Sequence, residues 1–121
     1  MKSQLKATLP IYTEICPVIH ALEIIGGKWR IPIIFKLSAE KSSRYNELKR
    51  SLPGITNIML TRSLQSLEKH GLVKRIEYNI IPPHVEYSLT DICQDLVPAL
   101  VIINDWGKEV CRQHFQVKYR S

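Results

Sequence analysis

The chain has 121 residues, with 17 Lys plus Arg against 11 Asp plus Glu, so its formal net charge is +6 and its pI about 9.4. That length makes one ordinary domain, residues 1–121, able to bury roughly two-thirds of the surface its unfolded form exposes, and the basic excess favours a polyanionic partner such as nucleic acid or an anionic membrane surface. The longest apolar runs are far short of a bilayer span, the amino terminus is broken by Pro10 and Glu14 and lacks a signal-peptide core, and three widely separated cysteines make no disulfide framework, so a reduced cytoplasmic protein is expected.

Residues 1–15 form a leader with little periodicity. Cys16 then precedes Pro17, and because proline suits the first helical position while the residue before it prefers extended backbone, Cys16 is the expected N-cap of a first helix. Val18, Leu22 and Ile25 share one face of that helix, and Gly26-Gly27 can supply the left-handed residue that ends it. A mostly buried helix starts near Trp29, with Pro32 in its first turn and Ile33, Ile34 and Leu37 inward. "SSRYNELKRSLP" reads as a short extended piece and then a compact helix from Asn46 or Glu47 to Leu52, stopped by Pro53-Gly54.

The next stretch, "TNIMLTRSLQSLEKHGLVKR", is a fourth helix with Thr56 as N-cap and Gly71 as its stop. Leu60, Leu64 and Leu67 recur every four or three residues and face a core, which leaves Ile58, Arg62, Gln65 and Lys69 opposite, flanked by Asn57 and Thr61. Two helices joined by a short turn containing Gly, the second with a polar outer face, make a helix-turn-helix. "LVKRIEYN" and "HVEYSLT" follow as the two strands of a hairpin, or wing, since Val85, Tyr87 and Leu89 alternate with Glu86, Ser88 and Thr90. From Asp91 to about His114 the pattern is helical, capped by Thr90, with Pro98 expected to divide or kink it. Its second part is apolar nearly all round, so residues 91–114 and the first helix are read as a homodimer seam. The fold expected is α+β, mainly α: a winged helix-turn-helix with a two-stranded wing and dimerisation helices at both ends.

In this order, "CPVIHALEIIGGKW", "RYNELKRSLPGITNIMLTRSLQSLEKHGLVKR", "PPHVEYSLT" and "DWG" closely resemble the HxlR-type winged helix-turn-helix transcriptional regulators, cousins of the MarR type, over residues 16–107. The resemblance implies a bacterial or archaeal homodimeric regulator whose fourth helix enters the major groove of double-stranded DNA. Three features depart from the family pattern: Cys93 stands where Gly is frequent, His84 where Arg or Lys is, and Ile80 and Ile81 where polar residues are.

The residue chemistry agrees with a DNA partner. A helix fits the major groove and reads base edges with its amino-terminal half, where Thr56, Asn57, Ile58, Thr61, Arg62 and Gln65 stand. Arg62 can fork onto guanine, Gln65 can pair with adenine and Ile58 can touch a thymine methyl. Lys69, Lys74, Arg75, Arg44 and Lys49 suit phosphates, and His84 lies on the wing. Each of these is also what a merely solvated face would carry, and Tyr45 reads as a core residue. A thiol at a helix N-terminus feels the positive end of the dipole, which favours thiolate, and some regulators of the resembled family sense electrophiles or oxidants with a cysteine at the position of Cys16. A small buried hydrophobe is the plainer account of Cys16; Cys93 and Cys111 read as packing residues.

Other functions find less support. Cys111 and His114 share a helix face at i, i+3, but no second compact pair completes a metal site, and no cofactor is called for. No Gly-rich phosphate loop, paired carboxylates or nucleophile motif suggests an enzyme. A winged helix that binds protein only, as an adaptor, is the rival reading; Arg62, Gln65 and Lys69 on the outer face weigh against it.

Overall fold

The computed structural model of the protein describes residues 16–115; the leader expected over residues 1–15 lies outside them. The described elements are α1 (Pro17–Ile25), α2 (Arg30–Ala39), β1 (Ser43–Arg44), α3 (Tyr45–Ser51), α4 (Asn57–Lys69), β2 (Val73–Tyr78), β3 (His84–Leu89) and α5 (Asp91–Phe115).

Local chemistry sets most of the boundaries. Cys16 is the N-cap of α1, with Pro17 as the first helical residue, and the left-handed conformation after the helix falls on Gly27, one residue past the cap. Arg30 at the start of α2 reaches back to donate to the last carbonyls of α1, 3.0 Å to Glu23 O and 2.8 Å to Ile24 O, so one guanidinium fastens the two helices end to end. The Glu47 carboxylate accepts the Arg44 backbone N–H at 2.8 Å, which starts α3 at Tyr45, earlier than Asn46. Thr56 Oγ1 accepts the Met59 N–H at 3.1 Å and opens α4.

The carboxyl end of α4 is closed by a Schellman pair. Leu72 N–H donates to Leu67 O at 2.9 Å and Gly71 N–H to Glu68 O at 3.0 Å, a geometry that needs the positive φ of +76° at Gly71. Thr90 ties the same corner to α5. Its hydroxyl donates to Gly71 O at 2.7 Å, its N–H donates to Leu72 O at 3.0 Å, and its Oγ1 faces the Cys93 N–H as a cap.

Two expectations are corrected. The wing belongs to a three-stranded antiparallel sheet of order β1-β3-β2, in which Ser43 pairs with Tyr87 and Arg44 with Glu86. Two residues of β1 are too few to show a period; the ladder offered by β3 makes them a strand. Pro98 does not divide the carboxy-terminal segment, because α5 runs unbroken from Asp91 to Phe115. Proline removes only one intrahelical donor, and burial of Cys93 before it and Leu100 after it keeps both sides packed on the same core.

That core joins all the elements the wing and α4 rest on. Ile33, Ile34 and Leu37 of α2, Leu48 of α3, Leu60, Leu64 and Leu67 of α4, Val73 and Leu89 of the sheet, and Cys93 and Leu100 of α5 form one buried cluster. Each large aliphatic in it is worth about 1.5–3 kcal/mol in transfer from water. Leu67→Ala should therefore destabilise the domain by about 2–5 kcal/mol, measured by chemical denaturation. A loss under half a kcal/mol would mean that α4 is not anchored by this stripe.

Candidate nucleic-acid interface

The outer face of α4 is as expected from its period. Leu60, Leu64 and Leu67 are buried, whereas Ile58, Arg62, Gln65 and Lys69 are exposed, Ile58 at 64%. Arg62 and Lys69 make no ion pair among the described residues, so their charges are available to a partner. Asn57 and Thr61 also reach the surface, yet both meet the Tyr45 hydroxyl, which lies 3.2 Å from Asn57 Oδ1 and 3.1 Å from Thr61 Oγ1. Tyr45 thus packs its ring against the core, as its sequence position suggests, and carries a polar handle that periodicity could not reveal.

Two clefts open against the wing. Between α4 and the wing, Thr61, Gln65, Glu68, Arg75 and Tyr87 come together. Arg75 is held there by an ion pair with Glu77 and stands opposite Tyr87 in the ladder, and both neighbours favour its charged form. Between the start of α3 and the wing, Arg44, Asn46, Glu47, Arg50 and His84 line the second cleft. Arg50 was not singled out in the sequence; its i, i+4 spacing from Asn46 on α3 is the signal that puts it on this side. Lys49 is half-buried.

Lys74 stands apart from the other named cations. Successive strand residues face opposite ways, so with Arg75 toward α4, Lys74 turns to an open cleft among Ser38, Lys41, Ser88, Asp91 and Gln94. The structure does not bring it to the α4 face. His84 is half-buried, stacks on Tyr78 with centroids 4.6 Å apart and contacts Glu86 Oε2 at 3.2 Å. The wing tip is apolar: Ile81 is 98% exposed and Ile80 is exposed beside it.

The second apolar surface lies elsewhere. Val18, Ile19 and Leu22 on α1 and Ile102, Ile103 and Trp106 on α5 are exposed, Trp106 at 68%. Leu100, which the sequence placed with that seam, faces the core instead, because the packing of α5 on α2 sets its rotation. Cys16 is a half-buried free thiol and makes no side-chain capping bond. Cys93 is fully buried, and burial pushes its thiol up to about 11, out of the reactive range. Cys111 is half-buried, and no group of three His, Cys, Asp or Glu gathers among the described residues. No described helix is long and apolar enough to cross a membrane.

Set beside known proteins, this arrangement has clear relatives. The profile of the HxlR-like helix-turn-helix family matches residues 24–115. The chain belongs to the HxlR-like family. An HTH-type transcriptional regulator of Halalkalibacterium halodurans is 46% identical over 91 residues, 75% of this chain and 80% of that protein. The crystal structure of a MarR-family transcriptional regulator from Porphyromonas gingivalis W83 superposes with a TM-score of 0.74 at 41% identity, covering 80% of this chain and 94% of that one. The redox regulator HypR in its oxidised form superposes with a TM-score of 0.72 at 40% identity, covering 78% and 96%. This HxlR-like chain is therefore an HTH-type transcriptional regulator with the winged-helix fold of MarR-type proteins.

Glu86 is expected to make the wing of this regulator sensitive to acid. The Ser42 hydroxyl donates to its carboxylate at 2.8 Å and, with His84 beside it, holds the carboxyl below its ordinary 4.5. A depressed carboxylate stabilises the fold above its unfolded pKa and loses that contribution as pH falls through the folded one. Wild type should thus lose stability relative to Glu86→Gln as pH drops below about 4.5, read from denaturation midpoints. A difference between the two that does not change with pH would show that Glu86 has no such role.

Proposed function

We propose that the protein is a sequence-specific DNA-binding repressor or activator that works as a homodimer in the cytoplasm, with Cys16 as a sensor of electrophiles or oxidants. The observation that carries the DNA reading is the two-sidedness of α4, which buries Leu60, Leu64 and Leu67 and presents Arg62, Gln65 and Lys69 to solvent. With α4 in a major groove, Ile58, Arg62 and Gln65 reach base edges with Asn57 and Thr61, and Thr56 and Lys69 lie at the two ends of the helix near the phosphates. Arg44, Arg50 and His84 on one flank and Arg75 on the other meet the backbone; Lys74 and Lys49 take secondary places.

Arg62→Ala should cost about 1–3 kcal/mol on the selected operator and leave non-specific binding nearly unchanged, measured by fluorescence anisotropy at fixed salt. Equal weakening on every sequence would make Arg62 a phosphate contact. No binding to any duplex at low salt, with the fold intact, would favour the adaptor reading.

Dimerisation is supported by the apolar side chains of α1 and α5 that the other described residues leave exposed. Two α4 helices related by a two-fold axis read half-sites about one helical turn apart, or a multiple of it. Trp106→Glu is expected to yield a monomer by light scattering and to abolish operator binding while the helical spectrum is kept; a wild-type monomer at micromolar concentration would overturn the dimer.

Sensing is supported by the position of Cys16 at the start of α1, on the helix that carries part of the same seam, and by the likeness to HypR. Reaction of the thiol there can tilt the two subunits and break the match of two recognition helices to two groove segments. Diamide treatment should lower operator affinity of the wild type but not of Cys16→Ser. If both lose affinity equally, the signal enters elsewhere.

A further inference from the structure

Tyr45 opens α3 with its ring against the core, and its hydroxyl lies 3.1 Å from the Asn57 carbonyl oxygen, 3.2 Å from Asn57 Oδ1 and 3.1 Å from Thr61 Oγ1. A phenol has one proton to give, and of its three neighbours only the Thr61 hydroxyl has a proton to return. The consistent arrangement has Thr61 donating to the Tyr45 oxygen and Tyr45 sharing its one proton between the Asn57 carbonyl oxygen and Oδ1. Neither bond is demanded by burial, since these oxygens all lie at the exposed surface, where water could satisfy them. The helix end does not need them either, because Thr56 already caps the Met59 N–H. Bonds of this kind add little to stability. What they do is orient the side chains at the amino-terminal end of α4.

We propose that the Tyr45 hydroxyl is a specificity-setting positioning group, which turns Asn57 into a hydrogen-bond donor and Thr61 into an acceptor toward DNA. This rests on the DNA reading above. With Asn57 Oδ1 turned to Tyr45, the amide nitrogen is the group left to face the groove, and it suits a base-edge acceptor such as N7 or O6 of guanine. The paired contact of asparagine with adenine, which aims amide oxygen and nitrogen at one base together, is disfavoured. Thr61, its proton committed to Tyr45, accepts from an exocyclic amine of cytosine or adenine. The three residues come from the two helices of the helix-turn-helix, so α3 edits what α4 reads.

The test is selection of bound duplexes from a randomised library by wild type, Tyr45→Phe, the double variant Asn57→Ala/Thr61→Val, and that double variant with Tyr45→Phe added. Phenylalanine keeps the ring and removes only the oxygen. The expected result is that Tyr45→Phe changes the base preference about tenfold at one or two positions of each half-site and leaves the other positions, the melting temperature and non-specific binding as they were. Added to the double variant, it should change nothing further. An unaltered preference overturns the proposal, and so does a uniform loss across positions with a lowered melting temperature, which would make Tyr45 a packing residue only. A wild type without any sequence preference fails the DNA reading itself, and is seen without reference to the variants.

Discussion

Three leucines of one helix have to be inside together. Leu60, Leu64 and Leu67 meet Ile33, Ile34 and Leu37 of α2 and Leu48 of α3 in the same buried cluster, and a helix that turns 100° per residue cannot bury that stripe without exposing Arg62 and Gln65. Everything useful about the surface follows from this anchoring. The Thr56 cap, the Schellman closure at Gly71 and the Thr90 hydroxyl on Gly71 O then fix where the helix starts and stops relative to the wing. A rigid helix with both ends tied presents its side chains in one register, which is what base recognition requires.

The charges around this helix are not equivalent. Among the described residues Arg62 and Lys69 make no ion pair, Arg75 is bound to Glu77, and His84 is occupied by Tyr78 and Glu86. The wing tip offers Ile80 and Ile81 and no cation. On the proposed DNA reading, electrostatic grip would be concentrated on α4 and on the Arg44 and Arg50 side of α3, with the distal wing contributing shape and apolar contact.

A second asymmetry separates the two ends of α5. The stretch up to Leu100 is held in the core by Cys93 and Leu100, and the stretch after it displays Ile102, Ile103 and Trp106. The same helix therefore supports α4 and the wing and carries the surface that would join two subunits in the proposed dimer, where a change at α1 or α5 would have a short mechanical path to the spacing of the two α4 helices. Of the cysteines in the described residues, Cys16 is half-buried at the start of α1 and Cys93 is buried with its thiol pushed up, so the proposed switch is assigned to Cys16.

Local patterns carried much of this into the sequence. The stripe of α4, the caps at Cys16, Thr56 and Thr90, the stop at Gly71 and the alternation of β3 are each set by residues within a turn or two of one another, so spacing alone determined them, and the succession of helix, turn, helix and hairpin determined the fold class. Tertiary structure decided the rest. Residues Ser43 and Arg44 become a strand only because β3 pairs with them; Lys74 leaves the α4 face because the wing's pleat is oriented by Val73 in the core; and Leu100 turns inward because α2 sets the rotation of α5. Tyr45 shows the reason in one residue. Its ring obeys the local apolar pattern, but its hydroxyl finds Asn57 and Thr61 on another helix, and a contact between segments has no period along the chain by which it could be read.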